Sequence, residues 1–222
     1  MGTAPSTDSL RERKKARTRA DLIRVSQRRF AEHGYHETTL EEISAEVGVR
    51  PQTLLRYFES KAHLALAPWA EQLTLLRRLL TDPGRSADTL TVWRELVQLE
   101  AAEALAPTSA FTGNMITNHA AFTAWADKDR FLVALNSDLE RQTQAVLAEA
   151  LASDRGLEAD DLHTTMVAAM LVVGRRAVYE RWSSGPGEAG ESLLDELLAV
   201  IDYAGTALAA RPKALEDRPR KC

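Results

Sequence analysis

The chain has 222 residues, 45% hydrophobic and 27% charged, with a formal net charge of −4, enough apolar material for one sizeable core or two modest ones. Its single cysteine, Cys222, excludes an intrachain disulfide, and a lone thiol fits a reducing cytoplasm, the expected location, better than an export route. No apolar run approaches the roughly 20 residues of a membrane helix, and no hydrophobic segment follows the basic N-terminus as a secretory signal requires.

The distribution of charge matters more than its sum. Residues 1–30 carry Arg11, Arg13, Lys14, Lys15, Arg17, Arg19, Arg24, Arg28 and Arg29 against Asp8, Glu12 and Asp21. A basic end on an acidic body is a polarised molecule, and the basic end is where phosphates would bind. Residues 1–12 read as a disordered arm, rich in Ser, Thr, Pro and Gly over the first ten. A first helix spans 13–33, with Ala20, Ile23, Phe30 and Ala31 at helical spacing, Leu22 and Val25 flanking, and Gly34 closing it. Thr39-Leu40-Glu41-Glu42 is a capping box opening a second helix that stops at Gly48. Pro51 suits the first turn of a third, which ends near Phe58. Ser60-Lys61 starts a long fourth helix reaching Asp82-Pro83-Gly84, interrupted at Pro68.

Ser86 is the expected cap of a fifth helix, through Leu90, Trp93, Leu96 and Val97 to about Leu105. Weaker segments cover 107–116 and 118–125. Residues 128–151 carry the stripe Phe131, Leu132, Leu135, Leu139, Val146 and Leu147. Helices at 160–183 and 191–209, separated by a Ser/Gly/Pro loop, complete the body, and a charged tail follows Arg211. The expected fold is all-α with about nine helices. It divides into a helix-turn-helix headpiece at 13–60, a helical domain at 61–210 and a flexible tail at 211–222.

Three short helices with tight glycine turns are the layout of a helix-turn-helix, here over 39–57. Leu40, Ile43, Val47, Val49 and Leu54 would form its core with Ile23, Phe30 and Phe58. Arg50, Pro51, Gln52 and Thr53 then stand at the N-terminal end of the third helix, the end that enters the major groove.

Residues 30–64, FAEHGYHETTLEEISAEVGVRPQTLLRYFESKAHL, resemble the TetR family of bacterial regulators. The likeness rests on Phe30-Ala31-Glu32-His33-Gly34-Tyr35, Thr38-Thr39-Leu40 before Ile43, Gly48-Val49, Thr53-Leu54, Arg56-Tyr57-Phe58 and Ser60-Lys61. It covers the first third of the chain. Two positions depart from the family pattern, Arg50 where Ser is frequent and Leu55 where an aromatic residue is usual. The resemblance implies phosphate contacts at Tyr57, Lys61 and the amide end around Thr38 and Thr39. Gln52 would pair with adenine, Arg50 with guanine, and Thr53 would touch a thymine methyl. The basic residues of 11–19 would add phosphate or minor-groove contacts. Thr39 is a helix cap in any case, and a packing role for Tyr57 is the alternative.

Family members pair through their last two long helices, so the resemblance implies a homodimer on a palindromic double-stranded operator. Leu194, Leu197, Leu198, Ile201, Ala204, Gly205 and Leu208 form a candidate pairing face, although the same pattern suits an intramolecular core. The body would enclose a small apolar or amphipathic ligand among Trp69, Trp93, Phe111, Met115, Phe122, Trp125, Met166, Met170 and Tyr179. Candidate polar anchors are Asn114, Asn118, His119, Glu100 and Arg176. The Arg175-Arg176 pair suits a carboxylate or phosphate, and the run from Arg175 to Trp182 resembles regulators that sense acyl-thioesters. The expected function is a DNA-binding repressor released by ligand, the alternative a ligand-independent dimeric binder or an activator. No enzyme is expected, since the five histidines form no HExxH pair and neither a phosphate loop nor a GxSxG elbow occurs. No cofactor or metal is expected, and Asp160 and Asp161 read as acids at a helix start.

Overall fold

The computed structural model describes residues 7–105, 129–184 and 191–210. Among the described residues there are nine α-helices and no strand. In chain order they are α1 (Thr7–His33), α2 (Leu40–Val47), α3 (Pro51–Tyr57), α4 (Lys61–Ala65), α5 (Ala67–Leu80), α6 (Thr89–Leu105), α7 (Arg130–Asp154), α8 (Leu162–Ser184) and α9 (Glu191–Ala209). The segments expected at 107–116 and 118–125 and the tail after Arg211 lie outside the described residues. Two compact units divide the chain after Pro68 and after Leu135. One gathers α1 to α4 with the start of α7; the other gathers nearly all of α5, α6, the rest of α7, α8 and α9.

In the first unit α1 opens at Thr7, not at Arg13. Residues 7–12, expected in the disordered arm, continue the helix because no Gly or Pro interrupts 8–19 and Arg and Lys are good helix formers. The buried face of α1 is Leu22, Ile23, Val25, Ser26, Gln27 and Phe30. Ala20 and Ala31, expected on that face, are exposed, since the buried stripe runs one position away from each. Ile43 of α2, Leu54 of α3, Phe58 and Leu64 of α4 are buried, while Leu40, Val47 and Val49 are only half-buried.

Gly48 sets the turn between α2 and α3. Its φ of +75° lies in the left-handed region, and the Val49 amide closes on the Ser44 carbonyl at 2.9 Å. The expected long fourth helix is two helices, broken at Leu66. Pro68 has no N–H to offer the Leu64 carbonyl, which would be its partner in a continuous helix. The buried Gln27 amide on α1 takes over, donating to the Ala65 carbonyl at 2.9 Å and more weakly to that of Leu64 at 3.5 Å.

The second unit has its own core. Trp93, Leu96 and Val97 of α6, Leu147 and Leu151 of α7, Leu171 and Val172 of α8, and Leu197 and Ile201 of α9 are its main members. The face of α9 offered as a pairing surface therefore points inward. Leu197, Ile201, Ala204 and Leu208 are buried in this core, and Leu194, Leu198 and Gly205 are half-buried. At Gly174 of α8 an added Cβ would lie 2.6 Å from Val200 Cγ1 of α9, so the glycine permits the close approach of the two helices. The cap of α6 is Asp88 rather than Ser86, its Oδ1 accepting from the Thr91 amide at 2.8 Å. Asp161 Oδ1 accepts from the Thr164 amide at the start of α8. His163 is buried, with Nε2 3.2 Å from the Leu208 carbonyl, and so carries its proton on that nitrogen.

Candidate nucleic-acid interface and sensor core

The start of α2 and its seat against α1 are fixed by side chains before any ligand is considered. Thr39 Oγ1 accepts from the Glu42 amide at 3.2 Å, and Glu42 Oε2 accepts from the Thr39 amide at 2.8 Å. The Thr39 amide and hydroxyl, both donating to Glu42 Oε2, hold that carboxyl below its ordinary value. Glu46 on α2 accepts from Arg28 and, at 2.8 Å, from Arg29 Nε of α1. Arg28 also reaches Glu32 at 2.8 Å. Two of the nine basic residues of 1–30 are thus committed to holding α2 against α1.

Arg17 and Arg24 lie 4.0 and 3.4 Å from Asp21 within α1 itself. Arg11, Lys14 and Lys15 of α1 and Arg50 and Arg56 at α3 are exposed and make no ion pair among the described residues. Four of these five line one open groove of about 540 Å³, with Glu12, Thr18, Val49, Thr53 and Tyr57 completing its walls. The extended first helix thereby sets a basic wall beside α3, on a chain that is acidic overall. This surface suits a polyanion.

Arg50 caps α3 by its backbone alone, with no side-chain bond to the helix, so its guanidinium projects freely. Pro51 is the first residue of α3 and half-buried, Gln52 is exposed, and Thr53 and Tyr57 are half-buried on the groove. Leu55 is exposed. Thr38 is buried and its hydroxyl donates to the Gly34 carbonyl at 2.8 Å. Its amide also donates to Gly34, at 3.3 Å, and the Thr39 amide serves Glu42. The Thr38 and Thr39 amides themselves are therefore engaged within the protein. Lys61 Nζ lies 4.5 Å above the Tyr35 ring and donates to the His36 carbonyl at 3.3 Å. Burial draws its ammonium below the ordinary lysine value, with Glu37, Asp129 and Glu42 acting the other way. The Tyr35 hydroxyl donates to Asp129 Oδ2 at 3.3 Å, while Asp129 Oδ1 accepts from the Phe131 and Leu132 amides at the start of α7.

In the second unit the described residues expected around a ligand divide between two sides of α8. Trp93 is buried on α6, whereas Met166 is 54% exposed on the far side of α8. Met170, on the same side as Met166, borders a shallow apolar groove of about 520 Å³ with Val173, Val200 and Tyr203. Helical periodicity explains the split, because Met166 and Arg175 are half a rotation apart on α8. Arg176 donates to Glu140 at 2.8 Å and lies 3.6 Å from Glu180. Asn114, Asn118, His119 and Trp125, with Phe111, Met115 and Phe122, lie outside the described residues.

A polar cluster inside the apolar core is only partly visible in the sequence. Arg175 Nη1 donates to both oxygens of Glu100, at 3.0 and 3.2 Å, and to Gln72 Oε1 at 3.1 Å. Its guanidinium lies 5.1 Å from the centre of the Trp93 ring, and the Tyr179 hydroxyl donates to Glu100 Oε2 at 3.2 Å. Burial and Glu100 push the Tyr179 phenol far up, so it stays a donor. Gln72 was missed because a half-buried glutamine in an amphipathic helix gives no sequence signal. Arg56 was missed as a site residue because arginine is equally common on any solvated helix face.

Comparison with known proteins agrees with these two units. The family described as "Bacterial regulatory proteins, tetR family" matches residues 22–67, and the MftR C-terminal domain matches residues 131–205, together more than half of the chain. The HTH-type transcriptional regulator TcmR of Streptomyces glaucescens is 44% identical over 66 residues, 30% of this chain and 29% of TcmR. The match thus spans less than a third of that relative. Salmonella enterica GusR has the same fold at 19% identity and a TM-score of 0.57, over 87% of this chain and 96% of GusR. So has Thermus thermophilus FadR in complex with lauroyl-CoA, at 18% identity and 0.57, over 91% and 100% of the two chains. Bacillus subtilis FadR in complex with stearoyl-CoA is similar at 14% and 0.58, over 85% and 98%.

Proposed function

The chain belongs to the TetR family of bacterial regulatory proteins, and from that premise we propose that it is a repressor that binds a palindromic operator as a homodimer and is released by a small amphipathic ligand. The observation that carries the reading is the basic groove beside α3, where Arg11, Lys14, Lys15 and Arg56 stand without ion pairs around Thr53 and Tyr57. Phosphate contacts there would position the headpiece, and Arg50 and Gln52 at the exposed start of α3 would read base edges. No helix among the described residues is long and apolar enough to cross a membrane.

Two recognition helices must meet successive major grooves about 34–36 Å apart. A ligand that prefers one conformation of the body shifts the population toward it and changes the fit. The two FadR proteins, whose structures hold lauroyl-CoA and stearoyl-CoA, make an acyl-thioester the first ligand to test here.

The test is fluorescence anisotropy with duplex DNA from upstream of this protein's own gene, against a scrambled duplex, over a range of salt. Selective binding of two protomers per site, weakening steeply with salt, is expected. Lauroyl-CoA is then added to the complex. Equal binding to both duplexes would reduce the protein to a non-specific polyanion binder, and absence of binding at low salt would defeat the headpiece reading.

A further inference from the structure

The Arg175 guanidinium is held in one orientation by side chains from two other helices. Gln72 and Glu100 both bond Nη1, and the Trp93 ring covers one face. Only 14% of the side chain is exposed. Glu100 meets one nitrogen alone and does not form the fork-to-fork pair in which a carboxylate grips two N–H groups of an arginine. The Nε–Nη2 edge, the one best shaped for that pair, has no protein acceptor among the described residues. A mostly buried guanidinium that is held in place with this edge unused is poised to receive an anion.

We propose that Arg175 anchors the headgroup of an organic monocarboxylate, gripped bidentately on the Nε–Nη2 edge of a guanidinium that Gln72, Glu100 and Trp93 hold in place. The assignment rests on the reading of the chain as a ligand-responsive regulator and names the chemistry of the ligand. Glu100 has a double part. It orients Arg175, and as the resident anion it opposes a second carboxylate nearby. Loss of the Glu100 charge with retention of its shape therefore strengthens carboxylate binding and leaves a neutral ligand unaffected.

Calorimetric titration of the full-length protein with decanoate and 1-naphthoate, each against its neutral amide, tests this. The wild type is expected to bind at least one acid about tenfold more tightly than its amide, as charge-assisted hydrogen bonds allow. Arg175→Met abolishes that preference. Glu100→Gln tightens the acid several-fold without changing the amide, and is the milder variant should Arg175→Met fail to fold by circular dichroism. Equal binding of acid and amide by the wild type, retained preference in Arg175→Met, or weaker acid binding in Glu100→Gln overturns the assignment. If lauroyl-CoA or the amides release the operator while neither acid binds, the regulator reading stands and this assignment falls. If none of these probes binds or moves operator affinity, both fall.

Discussion

Asp154 joins the end of α7 to the loop before α6. Its Oδ1 accepts from Arg85 Nη2 at 2.6 Å and its Oδ2 from the Thr89 amide at 2.7 Å. Burial pushes its carboxyl up, but these hydrogen bonds outweigh it and hold the group below its ordinary value. A depressed carboxyl stabilises the fold at pH above its unfolded value, and that contribution is lost as pH falls through the folded value. Stability of the wild type should therefore decline below about pH 4, as a capped and paired acid requires. Asp154→Asn is expected to lose about 1–3 kcal/mol at pH 7, and urea titrations at pH 7 and pH 3 should give a smaller difference between the pH values than the wild type does. On α3, two residues one turn apart would divide the proposed work of recognition. Gln52→Ala should weaken operator binding by about 1–3 kcal/mol and leave the scrambled duplex unaffected. Arg56→Ala should weaken both alike and flatten the salt dependence by about one unit of slope for each phosphate no longer neutralised. Anisotropy over a salt series separates the two, and a sequence-selective loss in Arg56→Ala would mean that it reads a base.

At the level of the elements, Pro68 and Gln27 form one device. The proline opens the break between α4 and α5, and the glutamine on α1 closes the exposed carbonyls. Gln27→Leu should cost about 1–3 kcal/mol, the usual range for a buried acceptor left without its donor. In a Pro68→Ala background the new N–H at 68 can serve Leu64, so the same substitution should cost less there. A double-mutant cycle by urea denaturation measures the coupling, and strict additivity would show that the two residues act independently. The break was legible because proline has no N–H; its partner was not, because Gln27 is 41 residues away in sequence and nothing local marks it. The same contrast runs through the fold. The capping box at Thr39 and Glu42, the left-handed Gly48 and the first-turn Pro51 are local signals, and each was readable. The inward face of α8 was not readable, since Leu171 and Val172 on one side and Met166 and Val173 on the other are equally apolar, and periodicity cannot choose between two such stripes. That ambiguity placed Met166 with Trp93 in a pocket. On α9 the stripe from Leu194 to Leu208 was legible and suited either pairing or a core, and its residues fill the core. The positions of Arg50 and Gln52 at the start of α3 were legible because they follow from the turn, and the basic residues of 11–19 were legible as charge, whereas Arg11 joins the groove on a helix that starts six residues earlier than expected.

At the scale of the whole molecule, one run of exposed apolar residues among those described lies along α8, with Tyr203 of α9 exposed as well. Leu162, Met166 and Val173 are exposed along α8, and Tyr203 on α9 is 73% exposed beside the shallow groove that Met170 and Val200 line. The inner faces of these helices are already packed, so their outer stripe is the surface that a second copy would cover, and exposed apolar patches of this kind mark interaction sites. A twofold contact brings the same patch from each protomer face to face. The homodimer proposed above would form there, not through Leu197 and Ile201. Tyr203→Asp combined with Val173→Glu puts like charges into both copies of the interface while leaving the inner core intact. Sedimentation velocity should then give a folded monomer with unchanged circular dichroism. Operator affinity should fall toward the non-specific level, a loss on the order of 10³-fold or more, because one headpiece can hold only one half-site, while binding to the scrambled duplex should change little. A variant that remains dimeric would move the pairing surface elsewhere. A monomer that keeps full operator affinity would mean that a single headpiece suffices, and the palindromic operator would no longer be required.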